Sequence, residues 1–275
     1  MVTVKIGDGL GNQIYNFVCG YAVAESLSQP LCLDISDAEN NPIRSYMLDC
    51  FDIGSIPTVY YSNKTVFHKI YKRLKRDMNN HVVFERGYSS FGENKAIFDL
   101  NKTRNIYLHG YWQSIEYFRM YEDKLRAMLV PAYDMAAGVR KLIDEFKSSE
   151  TCAVHLRGGD IAMPEAHYFK DAMEKMSAVN PGVKYIIFTN DREKALTRLA
   201  DIRAEYSFIE DYSKEYGDFT DVDSFFLISA CHHQIVSEST YSIWAAILNS
   251  NRDKTVIAPR CEASHERCPS EWIFC

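Results

Sequence analysis

The segment 221–249, DVDSFFLISACHHQIVSESTYSIWAAILN, constrains the fold more than any other part of this chain. It reads as a short helix, a buried strand over 233–236, the polar turn Ser237-Glu238-Ser239-Thr240, and a second apolar helix. A strand that passes through a small turn into a helix is the repeating unit of an α/β protein. The same junction leaves the first backbone N–H groups of the helix unpaired and aimed at one spot. Helix dipole and hydroxyls together make that spot suited to phosphate. A serine or threonine acting as an ordinary N-cap accounts for the same letters.

Two further stretches repeat the pattern. CAVHLRGGD, over 152–160, gives a strand ending at His155 and Arg157, a turn at Gly158-Gly159, and Asp160 closing the turn. Ligands in open α/β sheets sit beyond the carboxyl ends of strands, where these three side chains would lie. Arginine suits a diphosphate because it is planar, permanently charged and donates two parallel hydrogen bonds. A surface Arg–Asp pair beside a glycine turn is the alternative. At the N-terminus, residues 2–13 read as a strand, a glycine-rich turn and a helix over about 12–27, and Gly9 and Gly11 allow a ligand close to the backbone.

The rest of the chain alternates in the same way. Residues 30–35 form a second strand, followed by a polar, irregular stretch to about 65. Residues 106–111 are a strand candidate, with helices near 115–129 and 135–146. Then follow strand 152–156, helix 166–178, strand 184–188 and helix 192–203. The expected fold is α/β with two Rossmann-like halves facing a cleft, 1–148 and 149–275, divided near 147–150. With 275 residues and 47% hydrophobic content, the chain can bury one large or two modest cores.

Several classes are disfavoured. No run of 18 apolar residues occurs and the chain enters a strand at once, so neither a membrane span nor a signal peptide is expected. The eight cysteines are scattered without a CxxC pair, which reads as reduced core thiols and not zinc ligands. The net charge is −6, yet residues 67–78 form a basic amphipathic helix pattern, with apolar residues at 67, 70, 71, 74 and 78. Its Lys69, Lys72, Arg73, Lys75 and Arg76 suit either a solvated helix face or peripheral contact with an anionic membrane. One short patch without interleaved aromatics does not support nucleic-acid binding.

Five blocks then carry a resemblance: GLGNQ at 9–13, GYWQSIEYF at 110–118, HLRGGD at 155–160, IFTND at 187–191 and CHHQIVSESTYSIWAAILN at 231–249. In this order, over nearly the whole chain, they resemble the α-1,2-fucosyltransferases of glycosyltransferase family 11. That family shows G-G-L-G-N-Q, G-Y-F-Q-S-x-x-Y-F, H-x-R-R-G-D, F-S-D-D and C-x-H-x-I-x-A-N-S-T-F-S-W-W-G-A-W-L-N. The resemblance implies a GT-B-like architecture, with an acceptor-side N-terminal half and a donor-binding C-terminal half. It implies inverting transfer of L-fucose from GDP-β-L-fucose to the 2-hydroxyl of a terminal galactoside. Bacterial surface polysaccharide synthesis is the expected setting, in the bacterial cytoplasm or peripherally on the inner face of its membrane.

In such a transfer the protein contributes most by stabilising the leaving diphosphate. Arg157 is the expected catalytic cation. The hydroxyls of Ser239 and Thr240, the neighbouring Tyr241, the helix N-terminus, and Gly9, Leu10, Gly11 and Asn12 complete the donor site with His155 and Asp160. By resemblance His155 lies near the guanine-ribose portion, and an acid before the 225–231 helix pairs with the guanine N1–H and 2-amino group. Asp223 is the candidate, although alignment puts Ser224 in that slot and an N-cap role explains Asp223 equally. Asp8 is the candidate general base, with a turn-capping role as the alternative. Tyr111, Trp112 and Gln113 either contact the acceptor sugar or belong to a core strand.

Gly158 replaces the family's second Arg, Asp8 its first Gly, and Glu238 its Asn. No cofactor or metal is expected, since Asp221-Val222-Asp223 precedes a helix instead of ending a strand. Two rival functions stand. One is an NAD-dependent oxidoreductase, with Asp34 ending the second strand but Asn12 where the fingerprint needs Gly. The other is a catalytically impaired GDP-sugar-binding protein.

Overall fold

The computed structural model describes residues 1–60, 80–87, 90–158 and 164–275. The basic stretch 67–78 and Asp160 lie outside them. The chain divides into two compact units, Met1–Tyr133 and Asp134–Cys275. Each is a parallel sheet with helices, the pair of α/β halves that a GT-B-like chain requires.

The first sheet joins β1 (Val2–Lys5), β2 (Leu31–Asp34), β3 (Thr58–Val59), β4 (Asn80–Phe84) and β5 (Asn105–His109) in the order β3-β2-β1-β5-β4. Every pairing is parallel. The long helix Leu10–Leu27 lies on β1, and Gly20 permits the contact: a Cβ there would stand 2.5 Å from Val4 Cγ1. This helix starts two residues before the expected position, with Gly9 as its N-cap.

The second sheet joins β6 (Thr151–Leu156), β7 (Lys184–Thr189), β8 (Tyr206–Phe208), β9 (His233–Ile235), β10 (Val256–Ala258) and β11 (Ile273–Phe274). Their order is β11-β10-β9-β6-β7-β8, again all parallel. β6 and β9 are buried at every residue, as central strands covered on both faces must be. Val154, Leu156, Phe169, Met173, Ile187 and Ile235 belong to the core around them.

The expected division near 147–150 needs correction. Helix Ala137–Lys147 belongs to the second unit because Val139, Leu142 and Phe146 turn its apolar stripe onto that unit's helix Asp221–Ala230. The start of β6 marks a strand boundary and not a domain boundary. The helix expected over 192–203 is also shorter, running Arg192–Arg198.

In the second sheet the winding reverses once, between β6 and β9; in the first the chain crosses from β3 at one edge to β4 at the other, and the strand order breaks between β1 and β5. The carboxyl ends of strands at such switch points are where α/β proteins bind ligands.

Candidate active site

At the second unit's switch point, β6 delivers His155 and Arg157 while β9 runs out into Ser237 and Ser239. His155 is 6% exposed, and its Nδ1 lies 3.0 Å from Ser237 Oγ. Ser239 donates its N–H to the same Oγ at 3.3 Å. Burial, and then the neighbouring Arg157 cation, push the His155 pKa down to about 3, so the ring is neutral. The Tyr241 ring sits 5.6 Å from the imidazole, and its hydroxyl donates to the Asp221 carbonyl.

Ser239 is the N-cap of helix Thr240–Leu248, but its side chain makes no capping hydrogen bond, and no acid occupies the first turn. The ordinary capping account of this serine therefore fails. The helix Asp221–Ala230 shows the contrast. Thr220 and Asp223 form a full capping box there, Asp223 Oδ2 accepting from Thr220 N at 2.9 Å and Oγ1 at 2.6 Å. One helix start is sealed by its own side chains; at the other, Ser239 provides no side-chain cap and its N–H goes to Ser237 Oγ.

Arg157 follows β6 directly, and Asn190, part of the IFTND block but assigned no role from sequence, holds the next residue. Gly158 donates its N–H to Asn190 Oδ1 at 2.8 Å, and Asn190 Nδ2 donates back to the Gly158 carbonyl at 3.1 Å. The register Leu156↔Thr189 puts these residues side by side. A polar residue just past a buried strand was the available signal. Gly158 is not in the left-handed region, and a Cβ there would lie 3.1 Å from Asp191 Cβ.

The first unit's switch point is built differently. Gly9 is extended, φ −74°, and leaves the helix Leu10–Leu27 without a side-chain cap or an acid in its first turn. Asp8 adopts φ 59°, a left-handed conformation that Asp tolerates better than most residues. This explains the family's glycine in that slot as conformational. Gln13 pins the turn, its Nε2 donating to the carbonyls of Asp8 and Ser45 at 2.8 Å each. Across the switch point, Asn16 Nδ2 donates to the Gly110 and Tyr111 carbonyls, and Gln113 Nε2 donates to Asn12 Oδ1 at 2.7 Å.

Trp112, with φ 53°, is strained as well. Glu85 supports the turn by accepting from Tyr111 N at 2.6 Å and Trp112 N at 2.9 Å. Trp112 and Gln113 are buried and hold the loop, so of the three expected acceptor contacts only Tyr111, 45% exposed, faces solvent.

Asp34 does not serve a dinucleotide ribose. It is fully buried and accepts from Ser36 N, Ser36 Oγ and Tyr107 Oη. Glu150, His232 and His233 bring possible metal-ligand atoms within 4.8 Å of one another at the amino ends of β6 and β9. Thr255 donates its N–H to His233 Nδ1 at 2.9 Å, which leaves the ring proton on Nε2, facing Glu150 Oε2 at 3.1 Å. That proton occupies the nitrogen an ion would need. None of the eight cysteines is paired, and burial pushes the Cys231 thiol up to about 12. Among the described residues no helix is long and apolar enough to cross a membrane.

Comparison with known proteins shows the family and the fold. The chain is 24% identical to an alpha-1,2-colitosyltransferase of Escherichia coli, covering 99% of this chain and 98% of that one. It is 25% identical to the O-antigen biosynthesis glycosyltransferase WbnK of Escherichia coli, over 93% and 92% of the two chains. The structure of the NodZ alpha-1,6-fucosyltransferase soaked with GDP-fucose superposes with a TM-score of 0.53 at 16% identity, covering 90% of this chain and 91% of that one; NodZ comes from Bradyrhizobium. The family model for glycosyl transferase family 11 matches residues 43–274, and the chain belongs to that family of glycosyltransferases.

Proposed function

We propose that this glycosyltransferase moves L-fucose from GDP-β-L-fucose to the 2-hydroxyl of a terminal galactoside, inverting the anomeric centre, during bacterial surface polysaccharide synthesis. The observation that carries the donor reading is the second unit's switch point. A permanent cation, a neutral imidazole and two serine hydroxyls meet an uncapped helix N-terminus there. NodZ was soaked with GDP-fucose, and one relative is named for O-antigen synthesis, which supports the donor class and the setting.

The acceptor oxygen attacks C1 of the fucosyl group and the C1–O bond to GDP breaks, its electrons passing to the diphosphate. Arg157, Ser239 and Thr240 stabilise that charge where it accumulates. By family resemblance Gly9, Leu10 and Gly11 supply backbone N–H groups to the diphosphate, while the Asn12 N–H is held within the turn by the Gly9 carbonyl at 2.9 Å. His155 and Asp223 are the nucleoside contacts of this reading, and Asp223 would have to combine that role with its capping box. Asp8 takes the proton from the acceptor hydroxyl, and Tyr111 stacks on the acceptor sugar. Asp160 is retained as a donor contact from sequence alone.

The name of the other relative favours a second donor, a colitosyl nucleotide, on the same site. A transfer assay on lactose, with GDP-fucose and GDP-colitose in competition, separates the two donors. GDP binding without transfer to any galactoside would instead mark an impaired binding protein. We further propose that no metal takes part, because Arg157 and the helix N-terminus neutralise the diphosphate. Activity should then persist in excess EDTA; abolition reversed by Mg²⁺ or Mn²⁺ would refute this.

A further inference from the structure

We propose that Ser237 is a positioning residue that holds His155 as a donor, with its proton on Nε2, for an oxygen of the bound nucleoside diphosphate. The ligand half of this proposal rests on the donor reading above.

Ser237 is 2% exposed, so its hydroxyl proton has to find an acceptor within the protein. Among the described residues, two groups lie within reach of Oγ. The backbone N–H of Ser239 is a donor and occupies a lone pair at 3.3 Å. The remaining partner is His155 Nδ1 at 3.0 Å, and it can take the hydroxyl proton only as a lone pair. With a proton on Nδ1 instead, the hydroxyl would face two donors and its own proton would go unpaired in a buried place. The hydrogen-bond chain from Ser239 N–H through Ser237 Oγ to Nδ1 therefore selects a single tautomer.

The consequence falls on the other nitrogen. Among the described residues Nε2 makes no hydrogen bond, yet it is not one of the fully enclosed, unpaired polar atoms. It lies at the carboxyl end of β6, two residues before Arg157. Burial keeps the ring uncharged. The site thus offers one permanent cation and beside it a neutral donor of fixed direction, fit for a ribose hydroxyl or a phosphate oxygen. The chemistry resembles a metal-ligating histidine whose second nitrogen is oriented by a neighbour, with a ligand oxygen in place of the ion.

The test uses the full chain labelled with ¹⁵N and a histidine ring correlation spectrum at pH 7.5, His155 being assigned by its loss in His155→Gln. The expected wild-type signal is a protonated Nε2 with an unprotonated Nδ1. Ser237→Ala should yield a mixture of tautomers and weaken GDP binding about tenfold, the loss of roughly one hydrogen bond's orientation. Ser237→Thr should restore both. A proton on Nδ1 in the wild type overturns the proposal, and this result stands even if Ser237→Ala does not fold. An unchanged tautomer or unchanged GDP affinity in folded Ser237→Ala overturns it as well. A purely structural role would lower the melting temperature and leave the tautomer ratio alone. Should the wild type show the Nε2–H tautomer but bind neither GDP nor guanosine, the donor reading and the ligand half fail together. The Ser237–His155 lock would then stand by itself.

Discussion

The two units place their candidate residues at the same topological position and furnish it in opposite ways. In the second unit the β6/β9 switch point carries charge and hydroxyls: Arg157, neutral His155, Ser237 and Ser239, with no left-handed residue at Gly158. In the first, the β1/β5 switch point carries strain and amides: Asp8 and Trp112 both lie at positive φ, braced by Gln13, Asn16 and Glu85. Charge and hydroxyls suit an anion, whose recognition is mostly electrostatic. A strained, braced loop suits a neutral sugar, which needs fixed directions more than field strength. Fold repetition alone therefore says little about which half binds what; the side chains at the strand ends decide.

The largest expected effect breaks the charged half. Arg157→Ala should lose about 2.7–4 kcal/mol of transition-state stabilisation, comparable with removing one preorganised donor. Near-normal kcat/KM in a folded variant would remove Arg157 from the mechanism.

Next comes the strained half. Asp8→Asn should lower kcat by about 10²-fold, the lower range for a general base, without changing GDP affinity. Asp8→Gly separates conformation from chemistry, because glycine keeps the left-handed backbone and discards the carboxylate. Full activity in Asp8→Gly would make the position conformational only.

A smaller effect concerns acid stability. His155 has its pKa lowered to about 3 in the fold against an ordinary value near 6.5. Between those values the unfolded chain binds the extra proton, so stability contributed by His155 is complete above about pH 6.5 and declines as pH falls toward 3. His155→Gln should flatten the melting temperature against pH over that window. His109 and His233, also lowered by burial, stay in both proteins, so the difference isolates His155. Parallel curves would contradict the buried, neutral ring.

The smallest concerns Gly158→Arg. The backbone there accepts a side chain, Asp191 Cβ at 3.1 Å must give slightly, and the new guanidinium meets an Asp191 carboxylate already paired with Lys194. GDP affinity should rise by no more than about fivefold, the range of an exposed ion pair. A large drop in melting temperature with no gain in affinity would show that the glycine is needed for packing.

Hydrophobic pattern was enough to find β1, β2, β5, β6, β7 and β9, since buried parallel strands are continuous apolar runs between turn residues. The five missed strands, β3, β4, β8, β10 and β11, span two to five residues and include the outer strands of both sheets. Their strand state comes from pairing with an inner neighbour more than from their own sequence, as Thr58–Val59 beside β2 illustrates.

What the sequence determined by itself was the chemistry available: an arginine after a buried strand, a histidine two residues before it, and serines leading into an apolar helix. Those depend on residue type and local period, and both are written along the chain. The tertiary structure decided which of them act together and which are spent on the fold. Ser237 reaches His155 across 82 residues, Asn190 grips Gly158 across 32, and Glu85 braces Trp112 across 27. Sheet order brings such partners together, and no local pattern encodes it. The same packing consumed Asp34, Trp112 and Gln113, whose letters looked functional but whose polar groups or rings were needed to close a buried core. The left-handed turn at Trp112 is likewise braced by Glu85 from 27 residues away, whereas that at Asp8 is held by Gln13, five residues on.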